Sequence, residues 1–233
     1  MIIKTTFLLI AISLNTVLFA EVTDKKLEFT IFTTSLYSSD LNIIGSALFD
    51  EKYLNYNSKK VLYYTIDLSF QNLGVLKREK YEVVGDANSL DFIFSKYQDF
   101  ENHQISFFKE GKKLRVSNLT YNTQGDSRVL QVSQSFFPAT FLYIKLSRAI
   151  GSENEVNYWA LEEDRLAANN FIDQGRAIYQ GFNEVEILNT RKKLHMFLNS
   201  FSSERAQIFF DENKVLYAIK LFKSDQSIVF LRK

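Results

Sequence analysis

Tyr64-Thr65-Ile66-Asp67-Leu68-Ser69-Phe70 alternates bulky apolar and polar side chains without a fault. Successive side chains of an extended chain point to opposite faces, so Tyr64, Ile66, Leu68 and Phe70 share one side of a strand and Thr65, Asp67 and Ser69 the other. The same period appears upstream at Leu27, Phe29 and Ile31 and downstream at Leu90, Phe92 and Phe94. It returns near the end of the chain at His195 to Leu198, Gln207 to Phe210, Leu216 to Phe222 and Ile228 to Leu231. Aromatic residues make up 15% of the chain, including 22 Phe and 12 Tyr, and such side chains pack well on a pleated surface. About ten strands joined by short polar turns are expected.

Two segments resemble copies of one hairpin, Phe107-Phe108-Lys109-Glu110-Gly111-Lys112 and Phe209-Phe210-Asp211-Glu212-Asn213-Lys214. Gly111 and Asn213 stand where a short turn needs a positive φ. No fixed period links the rest of the chain, so the likeness is read as shared turn chemistry and not as a repeat.

One segment departs from the pattern. Pro138 suits the first helical position, and Ala139 to Ile150 reads as a helix stopped by Gly151. Its apolar residues cover most of the circumference and leave Lys145 and Arg148 on a narrow polar strip, so the helix must be largely buried. The stretch Trp159 to Ala168 fits helix or strand. The fold class expected is therefore mainly β, a β-rich α+β arrangement. A large curved antiparallel sheet, half-barrel-like, would wrap one buried helix near 138–150.

The first 20 residues have their own logic. Lys4 precedes an apolar run from Phe7 that ends at Ala20, and the composition turns polar at Glu21. These are the parts of a secretory signal peptide. The run is shorter than the roughly 18 uninterrupted apolar residues of a spanning helix, and no later stretch could span a bilayer. Residues 1–20 are expected to be a signal peptide and 21–233 one β-rich domain, exported to the periplasm or secreted. Once Lys4 is set aside with the leader, 27 basic residues balance 27 acidic ones, which argues against nucleic acid as a partner. Without cysteine there is no disulfide, thiolate metal site, cysteine nucleophile or lipobox.

Catalytic motifs are sparse. No Gly-x-Ser-x-Gly elbow, complete phosphate loop or His-Glu-x-x-His is present, and Gly175 and Gly181 have phosphate-loop spacing without the Lys-Ser/Thr that must follow. His103 and His195 lack neighbouring ligands at metal-site spacing, so neither a metal nor a cofactor is expected. Carboxylates cluster at Glu153/Glu155 and Glu162-Glu163-Asp164, a pattern that usually marks solvated surface. The aromatic groups Phe136, Phe137, Phe141, Tyr143 and Trp159 gather near the helix, where a curved sheet has its concave face. They are the candidate ligand-binding residues, for an apolar groove that takes a lipid, an acyl chain or a hydrophobic peptide. Aromatic side chains dominate cores in general, so filling the core is the favoured reading of the same groups.

The leader ending at Ala20, the long aromatic strands, the Phe136-Phe137-Pro138 helix start, and the terminal strands Ala206 to Asp211 and Lys214 to Ile219 together carry a resemblance. The layout resembles the periplasmic half-barrel families that include the lipoprotein carrier LolA, and several exported bacterial families of similar length. In the carrier family the concave face closes over acyl chains and helices act as a lid. The resemblance implies a non-catalytic exported protein that binds a hydrophobic ligand or a cell-envelope component. An envelope protein acting through protein contact, and a hydrolase using the acidic clusters, stay open beside it.

Overall fold

The computed structural model describes residues 23–35, 41–56, 59–72, 74–101, 103–119, 127–164, 171–201 and 204–233. The leader lies outside the described residues. Eight strands follow one another: β1 (Thr23–Ser35), β2 (Leu41–Tyr56), β3 (Lys59–Asn72), β4 (Val75–Asp86), β5 (Phe92–Gln98), β6 (Gln104–Glu110), β7 (Lys113–Leu119) and β8 (Ser127–Gln131). A two-residue strand β9 (Phe137–Pro138), a 3₁₀ turn (Ala139–Phe141) and the helix α1 (Leu142–Ala149) come next. The chain then completes β10 (Glu155–Leu161), β11 (Ile172–Ile187), β12 (Thr190–Phe201), β13 (Glu204–Phe210), β14 (Leu216–Phe222) and β15 (Gln226–Arg232).

The fifteen strands formed by the described residues belong to one sheet, in the order β8-β7-β6-β5-β4-β3-β2-β1-β15-β14-β13-β12-β11-β10-β9. Each arm is a meander of chain neighbours, as short polar turns require. The arms meet where β1 pairs with β15, from Phe29↔Arg232 to Ser35↔Gln226. Pairing is antiparallel except between β9 and β10. The expected curved antiparallel sheet with one short helix is present, with fifteen strands in place of about ten.

The concave face holds the core and α1. On β3, Leu62, Tyr64 and Ile66 are buried in it, as the alternation requires. Phe141 meets Tyr64 edge-on at 6.2 Å, and Tyr143 lies 5.8 Å from Phe49 on β2. Arg148, on the strip left polar by the apolar pattern, donates to the carbonyls of Ala87 and Asn88 at 2.8 Å each. At the same end, Ser147 Oγ donates to the Lys214 carbonyl at 2.7 Å, and Lys214 Nζ donates to the Ile150 carbonyl at 2.9 Å. The helix is thereby tied to the β4–β5 turn of one arm and the β13–β14 turn of the other. A smaller cluster, including Leu194, Phe209, Ala218 and Val229, packs on the other face; Phe209 and Ala218 each adjoin a residue that points into the main core.

Several local expectations change. Pro138 is the N-cap of the 3₁₀ turn, with φ −60° and ψ 138°, one step before the helical position expected for it. The positive φ of the β13–β14 turn falls on Lys214, not Asn213. Asp211 Oδ1 accepts from the backbone N–H groups of Asn213 and Val215, which builds a longer loop than the two-residue turn at Gly111. Residues 155–161 are strand, and 165–170 lie outside the described residues.

Gly175 and Gly181 both serve β11 geometry. Gly181 has φ +97° beside the register shift between Tyr179 and Phe182. Gly175 pairs with Tyr158, whose ring occupies the place a Cβ would take. That ring cannot swing away freely, since its hydroxyl donates to Asn199 Oδ1 at 2.7 Å and it is flanked by Phe137 and Phe201. Gly175→Ala is therefore expected to destabilise the fold by about 1–3 kcal/mol, read as a lowered urea midpoint at unchanged slope.

Candidate functional site

The sheet curls around more volume than its side chains fill. A cavity of about 520 Å³ lies between α1 and the strands on both sides of the seam. This falls within the roughly 300–1,000 Å³ of small-molecule sites. Phe49 of β2, Ile66 and Leu68 of β3, and Tyr81 of β4 wall one side. Ala206 and Ile208 of β13, with Ile219 and Leu221 of β14, face them, and Leu142 and Tyr143 of α1 also line it. A larger hollow of about 610 Å³, which includes Glu28, Asp67, Arg78, Lys80 and Lys233, is mixed in charge and shares only Leu68 with the first. The apolar walls of the first make it the better ligand candidate.

One end of the cavity is polar. β10 finishes at Leu161, and the next residues, Glu162, Glu163 and Asp164, turn into the cavity wall. Glu163 is only 1% exposed. Its Oε1 accepts from Thr140 Oγ1 at 2.8 Å and from Ser95 Oγ at 3.2 Å. Thr140 is the middle residue of the 3₁₀ turn that Pro138 caps, and Ser95 comes from β5 in the opposite arm. Glu163 Oε2 is buried with no hydrogen-bond partner among the described residues. Burial, opposed by the Thr140 and Ser95 hydrogen bonds and helped by the neighbouring Asp164 charge, leaves the Glu163 carboxyl raised to about 8. At pH 7 the group is a neutral acid.

The five aromatic candidates part company. Tyr143 lines the cavity. Phe141 is fully buried in the core, Phe136 packs on Phe92 at 5.3 Å, and Phe137 packs on Tyr158 at 5.5 Å. Trp159 is 38% exposed, because its neighbour Tyr158 takes the inward position on β10. Glu163, Thr140 and Ser95 were not singled out from sequence as a set. Only the acidic run at 162–164 marked the place.

Glu155, His195 and His103 have local partners. Glu155 pairs with Arg176 at 2.6 Å on the exposed surface. His195 Nδ1 lies 2.7 Å from the Tyr179 hydroxyl, and its ring stacks on Phe182. Asp99, Glu101 and His103 are the one group among the described residues with three possible metal-ligand atoms close together. They form a turn in which Asp99 Oδ1 accepts from the backbone N–H groups of Glu101 and His103.

No protein-family model and no curated protein matches the chain. Among solved structures, it is similar to a beta-barrel-like protein of the domain of unknown function DUF1849 from Brucella abortus. The match has a TM-score of 0.58 at 9% identity and covers 89% of this chain and 95% of that one. The two share a β-barrel-like fold.

Proposed function

We propose that the protein is a non-catalytic, exported binding protein that holds the apolar part of a lipid or acyl-chain ligand between its curved sheet and α1. The observation that carries this reading is the 520 Å³ cavity with apolar walls inside a sheet whose other interior side chains are packed together. Each methylene moved from water into such a site contributes about 0.8 kcal/mol. A carrier of the LolA type would use a half-barrel this way, and the leader at 1–20 would deliver it to the periplasm. The non-catalytic reading is supported by Glu155 being tied to Arg176 on the exposed surface, away from the cavity. A second reading, contact with an envelope protein, draws on β8, an edge strand with no neighbour beyond it among the described residues and with exposed Val129.

Ala206 provides the test, since it is 7% exposed and lines the cavity from β13. Ala206→Phe should fill the space and reduce the extractable lipid at least about ten-fold while circular dichroism stays that of the parent. Native mass spectrometry with organic extraction of both proteins, purified without detergent, reads this directly. A bound lipid retained in full by the variant, or no bound species in the parent, would overturn the reading. In the second case cross-linking in intact cells would test the β8 edge.

A further inference from the structure

We propose that the cavity selects an amphiphile with a cationic head, a long-chain primary amine or a lipid ending in one, whose nitrogen binds at Glu163 while its chain lies against the apolar walls. This rests on the binding reading above and names the ligand class. Two independent observations converge. The first is Glu163 itself, buried and lining the cavity, with Oε1 held by Thr140 and Ser95 and Oε2 without a partner among the described residues. A buried polar atom left unpaired is unfavourable, and an ammonium N–H would satisfy it with a charge-assisted hydrogen bond. The second is the sign of the lining. Apart from tyrosines its ionisable side chains are all carboxyls, Glu162, Glu163, Asp164 and Glu204, with no lysine, arginine or histidine among the described lining residues.

Lys223 pairs with Glu204 from outside that lining, which leaves a hydrogen-bonded cation near but not within the site. Lys25, Arg148 and Lys214 line a separate pocket of about 250 Å³, to which Phe49 and Tyr143 also contribute. Arg148 and Lys214 are already committed to backbone carbonyls. An anionic head would therefore meet carboxylates in the 520 Å³ cavity, while in the 250 Å³ pocket two of the three cations are already committed and Lys25 alone is left to receive it.

Binding a cation at Glu163 is coupled to loss of its proton. The neutral acid gives its proton to solvent, and the ammonium N–H then donates to the carboxylate. The groups facing Glu163 are the Thr140 and Ser95 hydroxyls, the Asp164 carboxylate, and the phenols of Tyr81 on β4 and Tyr143 on α1, with Glu204 of β13 across the cavity. Burial holds both phenols protonated at neutral pH, so Glu163 supplies the proton. Amine affinity should rise as pH climbs toward 8, by up to about ten-fold per unit.

The experiment is isothermal titration of the lipid-stripped protein with dodecylamine, dodecanol and dodecanoate, each below its micellar concentration, from pH 6 to 8. At pH 8 the amine should bind at least about ten-fold more tightly than the alcohol and the carboxylate most weakly, and the amine alone should lose affinity toward pH 6. Glu163→Gln should erase both the amine-over-alcohol ratio and its pH dependence. If the alcohol binds and the amine binds no better, or if dodecanoate binds most tightly, the cationic-head inference is overturned and the cavity reading stands. If none of the three chains binds, the cavity reading itself fails and this inference falls with it.

Discussion

Replacing Glu163 by glutamine is expected to stabilise the protein by about 3–5 kcal/mol at pH 8 and by almost nothing near pH 4. The sign follows from where the proton sits. In the unfolded chain the carboxyl ionises near its ordinary value of 4.5, whereas burial in the folded chain raises it to about 8. Below 4.5 both states are protonated and the group contributes no pH dependence. Between 4.5 and 8 the folded state binds more protons than the unfolded one, so stability falls with rising pH by up to about 1.4 kcal/mol per unit. Above 8 both states are ionised and the full penalty remains. Glutamine cannot ionise, and its carbonyl can still accept from Thr140 and Ser95. Asp67 and Glu79, also raised by burial, tilt the parent curve the same way. The difference between parent and variant isolates Glu163. Urea unfolding at pH 4, 6 and 8 should show the two curves separating as pH rises; parallel curves would mean that the carboxyl is not held neutral. A stabilising change that also removes ligand selectivity is what a functional group kept against stability produces.

The meander was legible in the sequence because its causes are local. Alternation over Tyr64 to Phe70 decides which side chains face inward, and Pro138 and Gly151 bracket the helical segment. The strand count was harder to read because long strands contain irregularities. The register shifts between Ile31 and Phe32 and between Tyr179 and Phe182 change the phase of the alternation within a strand. The β1–β15 seam joins the two ends of the described chain, and no local pattern announces it. The site was less legible still. Glu163 sits in a run of three acids that reads as solvated, and its burial depends on Thr140 and Ser95, 23 and 68 residues away in sequence. Trp159 turns on parity alone. Tyr158 has the inward place, so its neighbour faces out, and aromatic density near a helix does not distinguish the two.

Phe141→Ala is expected to destabilise the fold by about 3–5 kcal/mol, while Trp159→Ala should stay within about 1 kcal/mol of the parent. Phe141 is fully buried at the junction of the 3₁₀ turn and α1, edge-on to Tyr64. Its ring also lies against the backbone of Gly85, so close that a Cβ there would meet Phe141 Cε2 at 2.8 Å. Gly85 is paired on both sides, with Leu62 on β3 and, just past the register shift after Val84, with Phe92 on β5, so the strands behind the ring have little freedom to close the gap. The ring's removal therefore leaves a void and loosens the helix that forms part of the cavity wall. Trp159 is partly in water already and loses little on truncation. Urea unfolding at pH 6 measures both changes, and lipid extraction measures their effect on binding. A Phe141→Ala protein that kept its stability but lost its ligand would place Phe141 in the binding surface and contradict its packing. The reverse outcome, lost stability with Trp159→Ala unaffected in both assays, would show that Phe141 builds the wall from behind and that Trp159 stands outside the site, leaving Tyr143 as the one of the five aromatic candidates that faces the cavity.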